Sequence, residues 1–270
     1  MDTHWEVGYP NGLIKIIDYF RMKYFQYDIF DQVIDKYVKK YCKSNGKVIC
    51  SLGSGTGRHE VELAKKGYTV FGLERNEESV KISREYINSS GVDVKILQCD
   101  FLNEEEVDKA MNTIGKVDVV ALLLIPISIQ DYSVAANNLA KWLKTGGVFL
   151  ADNFGYLESI DSDRIHIESN IEVAESPDKK DYAVRMNYYE YKSNIVNWDA
   201  VYFYYKDNQL VMERDHDILD VYPEADYPDC LQLNQEIYEI LPNYRVVECD
   251  KWLAPPHLYE YIIGRRKICE

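Results

Sequence analysis

The stretch "VICSLGSGTGRHEVELAKKGYTVFGLERN", Val48 to Asn76, decides the fold. An apolar, strand-like run ends in a turn with glycines at alternate positions, Gly53, Gly55 and Gly57, and a helical pattern follows at once. Glycines so placed let a ligand lie against bare backbone. The spacing excludes two common occupants. A dinucleotide turn reads G-x-G-x-x-G, and the slot of its third glycine holds Arg58. A phosphate loop ends in Gly-Lys-Ser/Thr, which is absent. The turn is tight, but it is not spaced for a pyrophosphate.

Outward from this turn, strand and helix patterns alternate. "KVICSL" (47–52), "YTVFGLE" (68–74), "VKILQC" (94–99), "VDVVALLL" (117–124) and "GVFLAD" (147–152) are apolar runs with little in/out alternation. That is the signature of parallel strands buried on both faces. Helical periodicity fills the gaps at about 58–66, 77–88, 103–113 and 133–144, and a further helix precedes them at 28–43. Repeated βα units predict a doubly wound, Rossmann-like α/β sheet. After Asn153 the pattern changes. Residues 182–191, 195–205 and 209–219 alternate, are rich in aromatics and are punctuated by "KSN" and "KDN", which predicts an antiparallel β-meander. A short helix (about 230–241) and two strands (244–250 and 259–266) close the chain. The expected domains are a helical lid (1–46), a core (47–160), a late meander covering the substrate (161–225) and a C-terminal helix and strands completing the core sheet (226–270).

Open α/β sheets bind ligands in the crevice at the carboxyl ends of their strands. Glu74 ends strand 2, where a carboxylate accepts both ribose hydroxyls of an adenosine. Asp100, ending strand 3, is placed to accept an adenine's exocyclic amine, and Phe101 to pack on the ring. Three adjacent strand ends thus offer adenosine contacts without a phosphate site.

"LGSGTG", "GLE", "QCDFL" and "LAKWLKTGGVFLAD" resemble, in order, the motifs of class I S-adenosylmethionine-dependent methyltransferases across roughly residues 45–153. The resemblance implies a seven-stranded sheet in the order 3-2-1-4-5-7-6 and S-adenosyl-L-methionine as cofactor. It implies cofactor contacts from Gly53, Ser54, Gly55, Gly57, Glu74, Arg75, Asp100, Phe101 and Leu124. From the N-terminal segment it adds Arg21, suited to the cofactor's carboxylate, and Tyr24. The family's usual acid two positions before the first glycine is replaced by Ser51. The "YD" at Tyr27–Asp28, the "GTGRHEVEL" helix and "MERDHDILDVY" are similar to the small-molecule N-methyltransferases of the amino-sugar and glycine type. That likeness places His216 on a family histidine as catalytic candidate, with Arg185, Arg214 and Tyr27 as candidates for the substrate. Each has a plainer alternative: Arg21 as a solvated cation, Tyr24 and Tyr27 as packing, the meander aromatics as cross-strand pairs.

Composition sets the remaining bounds. With 31 basic and 45 acidic residues the formal net charge is −14, which disfavours nucleic acid and anionic membranes and suits a cationic ligand. The six cysteines never form C-x-x-C, so no structural metal is expected and a reduced cytoplasm fits. No apolar run approaches membrane-spanning length, and "MDTHWEVGYPNG" has no signal-peptide core. The expected partner is a small-molecule substrate that accepts methyl on nitrogen or oxygen; a homodimer is compatible with the sequence. Two rivals remain: a catalytically silent cofactor-binding or scaffold protein, and a nicotinamide-dependent oxidoreductase.

Overall fold

The order of the first five strands follows from their burial. In the computed structural model, which describes residues 12–24, 27–123, 125, 129–156, 166–192, 195–220, 244–254 and 257–266, β1 (Val48–Leu52) pairs in parallel with β2 (Thr69–Glu74) and β4 (Val117–Leu122). β2 pairs in parallel with β3 (Val94–Gln98), and β4 with β5 (Leu143–Tyr156). All six residues of β4 are buried, as a central parallel strand requires. This gives the expected 3-2-1-4-5. Beyond β5 come β11 (His257–Arg266) and then β10 (Tyr244–Ala254), paired antiparallel with each other. The helix expected at 230–241 lies outside the described residues.

The chain forms two units, one of Tyr27–Gly155 with Pro228–Glu270, the other of Met1–Gln26 with Tyr156–Tyr227. The segment expected as one lid (1–46) therefore divides. Helix α1 (Leu13–Tyr24) buries Leu13, Ile16, Ile17 and Phe20 against Ala174, Ala183, Ala200 and Tyr202 of the antiparallel sheet. Helix α2 (Tyr27–Tyr41) instead packs Phe30, Val33, Ile34 and Tyr37 on the parallel sheet. Its buried Asp31 lies 2.9 Å from His59 of α3 (Arg58–Lys65) and 3.1 Å from Lys66. Helices α4 (Glu77–Ser90), α5 (Glu104–Ile114) and α6 (Ile129–Ala140) complete the βα repeats. The side chain of Asn76 caps α4 through the Ser79 N–H, and that of Asn103 caps α5 through the N–H groups of Glu105 and Glu106.

The antiparallel sheet has four strands, not the three expected: β6 (His166–Glu175), β7 (Tyr182–Lys192), β8 (Ile195–Lys206) and β9 (Gln209–Asp220), in that order. β6 escaped the sequence reading because its pattern is inverted. Its Ile167 and Ile171 are exposed, whereas Asn170 and Glu172 face the covered side and bond to Asn187 and Arg185. The open face carries further exposed apolar side chains, among them Met186, Tyr188, Leu210 and Met212.

Asp118 holds the start of β1. Its fully buried carboxylate accepts from the N–H groups of Lys47 (3.2 Å) and Val48 (3.0 Å) and lies 3.0 Å from the Lys144 ammonium. Burial alone would raise its pKa, but hydrogen bonds from Ser44, Val48 and Lys144 prevail and hold it below the ordinary value. A depressed folded pKa stabilises the fold above the unfolded carboxyl's pKa of about 4 and ceases to do so as pH falls through the folded value. Asp118→Ala leaves two backbone donors unmet and should cost about 2–4 kcal/mol in urea unfolding at neutral pH. The gap to wild type should narrow towards pH ~3; a gap constant with pH would refute the ionised role.

Candidate cofactor site

The glycine turn is held by one carboxylate. Gly53, Gly55 and Gly57 take φ of 62°, 54° and 77°, the left-handed region that side chains rarely adopt. The N–H groups of Gly53 and Ser54 donate to the Leu73 carbonyl at 2.7 and 3.2 Å, which seats the turn against β2. The Gly55 N–H donates to Glu74 Oε2 at 2.8 Å, and the Asn76 N–H to Glu74 Oε1 at 2.7 Å. Each of these oxygens keeps a further acceptor position. Gly57 caps α3 without any side-chain hydrogen bond.

The neighbours explain why the turn's sequence is so restricted. A Cβ on Gly53 would stand 2.0 Å from Ile125 Cδ1 and 3.8 Å from Phe101 Cε1, so both side chains lie directly beside the turn. The Ser54 side chain points back to β2, where a Cβ on Gly72 would fall 2.6 Å from its hydroxyl. Ser54 therefore packs the turn onto the sheet. Arg58, in the slot of the dinucleotide glycine, stacks its guanidinium 3.9 Å from the Tyr86 ring centroid and ties α3 to α4.

Asp100 is partly committed. Its Oδ1 accepts from the Leu102 N–H at 3.0 Å, the local turn for which Asp is common, and its Oδ2 lies 3.8 Å from Arg75. Phe101 is buried, with its carbonyl held by Asn138 at 3.0 Å. Leu124 lies outside the described residues. In this unit the structure therefore gathers Gly53, Ser54, Gly55, Gly57, Glu74, Arg75, Asp100 and Phe101 at adjacent strand ends.

Apart from Tyr27, the remaining candidates belong to the other unit, where the antiparallel sheet separates Arg185 from Arg214 and His216. Arg185 faces α1. Its Nε donates to Glu172 at 2.6 Å, and its guanidinium lies 4.7 Å from the Phe20 ring and 5.8 Å from Trp198. Its charge is answered and its faces are covered, which corrects the expectation of a substrate anion there. Arg214 and His216 point from the opposite face, because strand side chains alternate. Asp199 joins them, 2.6 Å from Arg214 and 3.3 Å from His216 Nδ1. Asp199 went unnoticed in the sequence, although the two-residue turn at Asp207–Asn208, both at positive φ, fixes the register that sets it opposite His216. Tyr24 stacks on Phe20 and donates to the Val173 carbonyl at 3.2 Å, so it docks α1 on β6. Arg21, in the same helix, is half-buried beside Tyr202. Tyr27 begins α2, and its side chain is outside the described ones.

The strand-end set fits an adenosine-bearing group: bare left-handed backbone, two carboxylate oxygens with open acceptor positions, and an aromatic ring beside Gly53. A family model described as a methyltransferase domain matches residues 43–191, more than half of the chain. The chain belongs to the methyltransferase-domain family. With that membership, S-adenosylmethionine stands as its cofactor. The fold is similar to that of an S-adenosylmethionine-dependent methyltransferase from Clostridium acetobutylicum ATCC 824 (TM-score 0.66, 15% identity, covering 95% of this chain and 98% of that one). It is also similar to that of a sugar N-methyltransferase from Streptoalloteichus sp. ATCC 53650 (TM-score 0.65, 15% identity, 92% of each chain). A curated protein of Geobacillus sp. (strain WCH70) bearing a methyltransferase name is 31% identical over 72 residues, which span 27% of this chain and 29% of that relative.

Two substitutions test the site. Gly55→Val places a branched side chain at φ 54° and should abolish binding of S-adenosylhomocysteine in a protein that still folds; unchanged binding by calorimetry would make the turn merely structural. Glu74→Ala should weaken S-adenosylmethionine by roughly 2–4 kcal/mol, about 30- to 1000-fold. Because Glu74 also holds the Gly55 N–H, a 2′,3′-dideoxy analogue should lose some affinity too. The excess loss for the natural cofactor measures the ribose contact. Equal losses for both ligands would refute that contact.

Proposed function

We propose that this chain transfers a methyl group to a nitrogen of a polar small molecule. The observation that carries this reading is the glycine turn bound to Glu74 in a chain of the methyltransferase-domain family. When bound, S-adenosylmethionine supplies an electrophilic methyl on a sulfonium. Glu74 and the turn then hold the nucleoside, Phe101 and Ile125 flank it, and the chain's contribution is mainly alignment and exclusion of water, which in favourable cases lowers a barrier by roughly 7–11 kcal/mol.

Nitrogen is favoured by the likeness of "MERDHDILDVY" to N-methyltransferases and by the fold shared with a sugar N-methyltransferase. An ammonium acceptor must lose a proton before its lone pair can attack. We assign that proton to His216, with Asp199 as the group that orients its ring. Arg214, bound to the same carboxylate, has the freedom of an exposed side chain to meet an acidic group on the substrate.

Incubation with labelled cofactor and a metabolite extract, read by mass spectrometry, should yield an N-methylated product. His216→Asn should lower kcat/KM for it by about 10²–10⁴ while leaving the cofactor Kd unchanged. Cofactor binding with no methylated product would favour the silent scaffold; an O-methylated product would move the acceptor to oxygen.

A further inference from the structure

Ser51 is buried at the end of β1, where the related motif carries an acid. A carboxylic acid nevertheless lies beside it. Glu60, the third residue of α3, is 1% exposed, and its carboxyl is hydrogen-bonded to the Ser51 side chain. Its Oε2 is buried and has no hydrogen-bond partner among the described residues. Its bond to Ser51 sets the carboxyl at the end of β1, and the charges of Glu60 and Glu74 act on each other. His59, whose charge acts on Glu60, already faces Asp31 at 2.9 Å. Packing alone gives no reason for an acid here, since an unpaired buried carboxyl is costly.

We infer that Glu60 is a further cofactor-binding residue, which pairs with the ammonium at the amino-acid end of S-adenosylmethionine from a position on α3 rather than on β1. Glu60 lies nine residues beyond Ser51 in the chain, and its bond to Ser51 keeps the carboxyl at the end of β1. A cation is the partner its open oxygen lacks. Burial raises the Glu60 pKa, with the His59 charge and the Ser51 bond opposing it, so an arriving ammonium also favours its ionised form.

The inference rests on S-adenosylmethionine as cofactor, and the test separates the two. Calorimetry is run with two ligands, S-adenosylhomocysteine, whose only cation is the ammonium, and 5′-methylthioadenosine, which keeps the nucleoside and lacks the amino acid. Glu60→Gln keeps the side chain's shape. It should weaken S-adenosylhomocysteine about 10- to 100-fold and leave 5′-methylthioadenosine within about twofold of wild type. The double variant Ser51→Asp/Glu60→Ser returns the acid to β1 and should restore S-adenosylhomocysteine to within about fivefold of wild type. Unchanged binding of S-adenosylhomocysteine by Glu60→Gln, equal losses for both ligands, or a folded double variant as weak as Glu60→Gln would each overturn the role. Wild type binding neither ligand would overturn the cofactor assignment, and the role of Glu60 with it.

Discussion

A single carboxylate, Glu74, governs the geometry on which the site depends. Its two oxygens accept N–H groups from both sides of the crevice, Gly55 in the turn after β1 and Asn76 at the start of α4. The turn needs such an anchor because three left-handed glycines leave the backbone few internal partners and much conformational entropy to lose. Asn76 in turn caps α4, so the same bond sets where that helix begins. Loop, strand end and helix start are therefore fixed together, before any ligand arrives. A rigid, preorganised crevice lowers the ordering cost of binding.

The same arrangement concentrates negative charge. Glu60, Glu74 and Asp100 stand at the ends of three adjacent strands, or beside them, in a chain of net charge −14. Backbone donors offset part of this: Gly55 and Asn76 for Glu74, Leu102 for Asp100. Glu60 has the His59 charge, Ser51 and its own backbone N–H, yet burial still holds its pKa above the ordinary value. A ligand with positive charge relieves what the fold leaves uncompensated, and a pyrophosphate would aggravate it. Glycine spacing and electrostatics thus argue independently against a dinucleotide, and the family match agrees with both.

What the sequence disclosed and what it concealed divide along physical lines. The parallel strands were legible because burial on both faces leaves uninterrupted apolar runs, and the 3-2-1-4-5 order came with the motif resemblance. Gly53, Gly55, Gly57 and Glu74 were legible because backbone conformation and strand-end position restrict the residue type. β6 was not, since its polar residues face inward. The departure of α1 from α2 was not either, because an amphipathic helix does not say which sheet it will cover. Nothing in the sequence singles out Glu60, because an acid in the first turn of a helix favours the dipole and is ordinary there; its burial is a tertiary fact. Arg185 read as a free cation because Glu172, which neutralises it, lies on the strand that was missed.

The pairing of His216 with Asp199 bears on the choice between nitrogen and oxygen. A carboxylate 3.3 Å from Nδ1 favours the tautomer protonated there, which leaves the Nε2 lone pair to accept a proton. Proton transfer is efficient when donor and acceptor pKa values lie close. An ammonium acceptor has no free lone pair and cannot attack until a base takes its proton. A hydroxyl oxygen already carries lone pairs and asks less of the base. An imidazole held by Asp199 would therefore serve the amine acceptor proposed above. The aromatic sheet then has a consistent role as well. Tyr188, exposed and opposite Asp199 on the same face of the sheet, would offer its ring face to the substrate ammonium proposed above while Asp199 holds the imidazole.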